Sequence, residues 1–79
     1  MIDIQKDLEI FKAVWEYYKK YSDVRTDYQY WENVIDEGAE INLKYKSRLC
    51  RNMIDQIIRE LYYELEQLNK IAHPTPGKV

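Results

Sequence analysis

The residues in this chain with the most evident chemical potential are carboxylates. Asp36-Glu37-x-x-Glu40 places three acids at i, i+1 and i+4 of a helical stretch, with Glu32 one turn earlier. On a helix, Asp36 and Glu40 then share a face, and oxygen ligands of that kind hold divalent magnesium. Asn52-x-x-Asp55 lies one helix further on. If the two segments met, Asp36, Glu37, Glu40 and Asp55 would together offer four carboxylates to a divalent cation. The competing reading of the same residues is a solvated acidic helix face. It needs no ligand and is the one adopted, so no metal and no cofactor are expected.

A second group is cationic. Lys44, Lys46, Arg48 and Arg51 crowd the stretch after the acids, and Arg59 extends it. Residues 23 to 43 carry six acids and one base, whereas residues 44 to 59 carry five bases and one acid. Phosphate contacts need a patch of this kind, but no motif that reads bases accompanies it and the formal net charge is −2. Nucleic acid is therefore not the expected partner. Segregated charge of this sort orients a protein partner or a second copy of the chain.

The remaining chemistry is excluded by spacing. Cys50 and His73 are the single cysteine and the single histidine, 23 residues apart, whereas structural zinc takes four ligands. No Ser-His-Asp set and no glycine-rich phosphate loop exists. Cys50 reads as a small buried apolar residue. A non-catalytic protein is expected.

Aromatic residues are the other distinctive group. Tyr17, Tyr18, Tyr21, Tyr28, Tyr30 and Trp31 gather around residues 22 to 25. Such a cluster can be a base-stacking platform or the anchor of a protein interface, and is more often the end of a bundle core with its hydroxyls at the water boundary. Tyr21, Tyr28 and Tyr30, placed as exposed aromatics, together with Lys44, Lys46, Arg48 and Arg51, form the expected partner-binding set.

Three helices must position these groups. The first is predicted over about 3 to 21, with two adjacent apolar stripes. Ile4, Leu8, Phe11, Trp15 and Tyr18 make one, and Ile10, Val14, Tyr17 and Tyr21 the other. An apolar arc so wide either packs against two neighbours or leaves part of itself for a partner.

The second helix is predicted over about 27 to 46. Its start is signalled by a capping box, Thr26-Asp27-Tyr28-Gln29, and its core stripe is Trp31, Val34, Ile35, Ile41 and Tyr45, with Gly38 and Asn42 on the same side. An interior glycine costs a helix about 1 kcal/mol relative to alanine. Gly38 therefore implies a close approach, expected from Trp15 or Tyr18.

The third helix is predicted over about 48 to 72, carried by Leu49, Met53, Ile54, Ile57, Ile58, Leu61, Leu65, Leu68 and Ile71. Ser47 can cap it. No Gly or Pro lies between Ala39 and Pro74, so one continuous helix from Asp27 to Ala72 is the alternative. At 1.5 Å per residue it would be roughly 69 Å long and would demand a dimer. A break near 46 to 48 is the reading taken.

The expected fold is all-α: an antiparallel three-helix bundle in a single domain, residues 1 to 72, with a flexible tail over 73 to 79. Self-association is open to it through the third helix or the wide arc of the first. At 79 residues a single core is small and needs large side chains or a partner surface to complete it. Charged residues interrupt the start of the chain, so no signal peptide is read there, and no stretch approaches the ~20 apolar residues of a membrane span. A cytoplasmic protein without membrane contact is expected.

The run Trp15-Glu16-Tyr17-Tyr18-Lys19-Lys20-Tyr21, then Thr26-Asp27, Tyr30-Trp31-Glu32, Val34-Ile35, Glu37 and Lys44-Tyr45, with Glu64-Leu65-Glu66 closing the last helix, resembles small helical proteins of Firmicutes phages and mobile elements. The resemblance covers about residues 8 to 68. It implies a bacterial host cell and a protein-binding role as an adaptor or inhibitor, with a host or phage protein, such as a host defence protein, as partner. The acidic spacing is separately similar to the E-E-x-x-E motif of MazG-type nucleotide pyrophosphohydrolases. That similarity implies the alternative function, a magnesium-dependent nucleotide hydrolase, with Asn52 standing where the second motif, E-x-x-D, has an acid.

Overall fold

A computed structural model describes residues 2 to 72, with side chains through residue 70. The expected tail, with His73, and the side chain of Ile71 lie outside the described residues. Three helices pack against one another: α1 (Ile4–Lys20), α2 (Tyr28–Tyr45) and α3 (Arg48–Ala72). There is no strand among the described residues.

Each helix start has a local cause. Asp3 caps α1 by accepting from the Lys6 N–H at 3.1 Å, which satisfies one of the donors a helix start leaves open. Asp7 in the first turn and Lys19 and Lys20 in the last complement the helix dipole. α2 begins one residue later than the capping box predicts. Asp27, not Thr26, is the cap: its carboxylate accepts from the Tyr30 N–H at 3.1 Å and from Arg25 Nε at 2.8 Å. A charged acceptor makes the stronger bond.

The break between α2 and α3 is real. Lys46 ends α2 in the left-handed conformation, φ 46° and ψ 49°, with its N–H donating to the Asn42 carbonyl at 2.9 Å. Ser47 then caps α3: its hydroxyl lies 3.4 Å from the Cys50 N–H, and its carbonyl accepts from the Arg51 N–H at 3.0 Å. A left-handed residue stops the helix without the glycine that usually sits there.

The two stripes of α1 have separate fates. Ile10, Val14, Tyr17 and Tyr21 enter the core with Tyr30 and Val34 of α2 and Cys50, Ile54 and Leu61 of α3. Ile4, Leu8, Phe11 and Trp15 stay outside. On α2 the inner line is Tyr30, Val34 and Gly38, while Ile35 is turned outward.

Gly38 lies under Tyr17, not under Trp15 or Tyr18 as expected. A Cβ at Gly38 would sit 2.9 Å from the Tyr17 hydroxyl and 3.0 Å from Ile54 Cγ2. The Tyr17 hydroxyl uses that space to donate to the Val34 carbonyl at 2.6 Å. Tyr17 is 1 % exposed and is among the largest fully buried side chains. Burying it contributes about 2–3 kcal/mol, which outweighs the cost of about 1 kcal/mol for a helical glycine.

Lys46 is the only non-glycine residue with positive φ among the described residues. Lys46→Gly removes the Cβ strain of that conformation and is expected to raise unfolding free energy by about 1 kcal/mol, read by urea denaturation. A loss of stability would show that the Lys46 side chain contributes more than its backbone costs.

Candidate partner-binding surface

The segment between α1 and α2 is held by side-chain bonds. The Trp31 indole N–H donates to the Arg25 carbonyl at 2.9 Å, and Arg25 pairs with Asp27. The Arg25 guanidinium, together with the Tyr30 N–H, holds the Asp27 carboxyl below its ordinary range. Trp31 is thereby fixed in orientation. One face stacks on Tyr62 of α3, with centroids 4.7 Å apart and planes 12° apart, and Tyr30 meets it edge-on at 4.9 Å.

On the outer side of Trp31 lies an apolar notch of about 260 Å³, lined by Tyr28, Trp31, Glu32, Ile35 and Asp36. Tyr28 is 79 % exposed and Ile35 is also exposed. Asp36 also lines a separate, broader open depression of about 640 Å³, whose wall includes Asp23, Glu37, Glu40 and Lys20. An apolar floor with a rim of carboxylates suits the stem and head of a lysine or arginine side chain.

Glu37 ties this wall to the core. Its Oε1 accepts from Lys20 Nζ and from the Tyr21 hydroxyl, both at 2.8 Å. Partial burial works to raise the Glu37 carboxyl, but these two hydrogen bonds more than offset it and hold the group below its ordinary range. Burial, and then the bond to Glu37, pushes the Tyr21 phenol up to about 12. Burial pushes Tyr30 up to about 12 as well, with Asp23 adding to it. Both tyrosines stay neutral donors at ordinary pH.

The structure separates the expected partner-binding residues. Tyr28 is on the surface, but Tyr21 and Tyr30 are buried, contrary to expectation. The Tyr30 hydroxyl donates to the Tyr21 carbonyl and the rings of the two meet edge-on at 5.6 Å, so they form the end of the core. Lys44, Lys46, Arg48 and Arg51 are all exposed around the turn between α2 and α3. None of the four takes part in an ion pair among the described residues.

The four acids of the alternative metal reading are not brought together as a ligand set. Glu37 is bonded to Lys20 and Tyr21, Asp55 pairs with Arg59 at 2.9 Å, and Asp36 and Glu40 are exposed. Among the described residues no group of three or more His, Cys, Asp or Glu could hold a metal ion. Asn52 lies elsewhere, beside Val14, Met53 and Ile57.

Periodicity places Ile35 in the core, yet it is exposed, and no apolar stripe of α3 includes Tyr62, whose ring stacks on Trp31. The available signal was angular: Ile35 stands 100° around the helix from Val34, which the structure places on the inner line with Tyr30 and Gly38. No protein-family model, curated protein or solved structure matches the chain.

Because the folded carboxyl of Glu37 is lowered, its contribution is present above the unfolded value near 4.3 and is lost as pH falls through the folded value. Glu37→Gln is expected to cost about 1 kcal/mol at pH 7, and the gap to the parent should narrow steadily as urea titrations are repeated at lower pH in the acid range. A gap independent of pH would remove the charge of Glu37 from the account.

Proposed function

We propose that the protein is a small protein-binding module of phage or mobile-element type, working as a homodimer, that docks a basic segment of a larger host or phage protein and acts by occlusion or bridging. The observation that carries this reading is the apolar notch beside Tyr28, Trp31 and Ile35, open to solvent and rimmed by Glu32 and Asp36. Large exposed apolar side chains beside a groove are uncommon without a partner, and aromatic anchors contribute much of the energy of protein interfaces.

Charge adds direction. The region from residue 23 to 43 has six acids against one base, which steers a basic segment toward the notch and away from the cationic turn at Lys44, Lys46, Arg48 and Arg51. The resemblance to helical proteins of phages and mobile elements supports a host or phage protein, including a host defence protein, as the occupant, and a bacterial cytoplasm as the setting. Binding, not catalysis, is the role proposed.

The helices are read as an antiparallel bundle. Short connections favour it, and the contacts support it between α2 and α3: Trp31 near the start of α2 stacks on Tyr62, while Cys50 near the start of α3 approaches the Ile41 carbonyl at 3.9 Å.

Tagged protein should retain one stoichiometric partner from a Firmicutes lysate, prepared with or without phage infection. Tyr28→Ala combined with Ile35→Ala should reduce that retention at least tenfold with an unchanged helical circular dichroism spectrum. No retained protein, or equal retention by the variant, would overturn the proposal.

A further inference from the structure

The exposed stripe of α1 has the spacing of a coiled-coil seam. Ile4, Leu8, Phe11, Trp15 and Tyr18 follow one another at intervals of four, three, four and three residues, the a and d positions of a heptad. Ile4 is 70 %, Leu8 46 %, Phe11 50 % and Trp15 56 % exposed, and Tyr18 is half-buried. The bundle takes α1 by its other stripe, Ile10, Val14, Tyr17 and Tyr21. Among the described residues, Ile4, Leu8, Phe11 and Trp15 of this preformed helix face are left exposed, while Tyr18 at its end packs against the core.

We infer that a second copy of the chain covers this face, the two α1 helices lying parallel and in register. Three observations favour that occupant and that direction. In heptad terms Asp7 is a g position and Lys12 the following e position. In a parallel pair the g residue of one helix meets the e residue of the next heptad on the other, so Asp7 of each copy faces Lys12 of its mate. The two pairs form at once by symmetry. Neither Asp7 nor Lys12 is in an ion pair within its own chain among the described residues.

The bundle's placement decides against the antiparallel pair. Val14 and Tyr21, both g positions, are buried against the rest of the chain, so α2 and α3 lie on the g side of the seam. Antiparallel helices bring g beside g, which puts both bundles on one side, where they compete for space. Parallel helices bring g beside e, and the bundles fall on opposite sides.

The area is sufficient. Four half-exposed side chains, two of them aromatic, present about 500 Å² per copy, or about 1,000 Å² for the pair, at the threshold of a specific interface. A helix of 17 residues is short for an isolated coiled coil. Here the bundle already holds the helix, so pairing orders little further chain.

This inference rests on the dimeric part of the function proposed above, and its test reads apart from the partner assay. Sedimentation equilibrium of the full chain should give twice the 9.7 kDa chain mass, and Phe11→Glu should give a monomer with unchanged circular dichroism. Lys12→Glu should weaken the dimer about fivefold, and Asp7→Lys combined with Lys12→Glu should restore it. Under mild oxidation Leu8→Cys should cross-link to itself; the native Cys50 is fully buried and does not compete.

A monomer at all concentrations would overturn the inference. So would a dimer that Phe11→Glu leaves intact, or one in which Ile4→Cys joins Trp15→Cys of a second variant while Leu8→Cys fails to join itself. A dimeric protein that captures no partner supports the self-pairing and counts against the binding reading alone.

Discussion

The bundle depends on the place where the Tyr17 hydroxyl crosses to the Val34 carbonyl through the gap over Gly38. It goes with the stripe of α1 that faces inward, because the rotation that brings Tyr17 over Gly38 also turns Ile10, Val14 and Tyr21 into the core. It also includes α3, since Ile54 closes the same gap at 3.0 Å from the missing Cβ. Ring burial supplies most of the gain, and the hydroxyl is carried inward at no net loss because its hydrogen bond is made. Burial pushes the Tyr17 phenol up, which keeps it a donor.

From this point the rest of the core follows in the same manner. Among the described residues, three of the nine buried in the core are tyrosines, and each hands its hydroxyl to an oxygen: the Val34 carbonyl, Glu37 and the Tyr21 carbonyl. In a chain this short, large rings fill much of a small core. The consequence is an asymmetric surface. With one stripe of α1 drawn in, the other is left out, and with Tyr30 turned inward on α2, Tyr28 and Ile35 are turned out. The two exposed apolar surfaces are what remains once Tyr17, Tyr21 and Tyr30 are turned inward.

Much of this was legible in the residues. The three helices and the break at 46 to 48 followed from apolar period and from Ser47. Gly38 signalled a close approach through its cost alone. What was not legible was rotation. Two apolar stripes on α1 are equivalent by periodicity, and a tyrosine is read as boundary or core only when the oxygen that takes its hydroxyl is known. Tyr21 and Tyr30 were placed outside for that reason: their acceptors, Glu37 and the Tyr21 carbonyl, lie 16 and 9 residues away in the chain. The same limit applies to the acids: their spacing does not show that Glu37 accepts from Lys20 and Tyr21.

The most direct measurement is a double-mutant cycle between Tyr17→Phe and Gly38→Ala, followed by urea denaturation. If Gly38 exists to admit the hydroxyl, Gly38→Ala in the parent should cost about 2 kcal/mol despite better helix propensity. In the Tyr17→Phe background the same change should cost about 1 kcal/mol less, a coupling well above the additivity error of about 0.5 kcal/mol. Additive costs, or a Gly38→Ala protein more stable than its parent, would contradict the account.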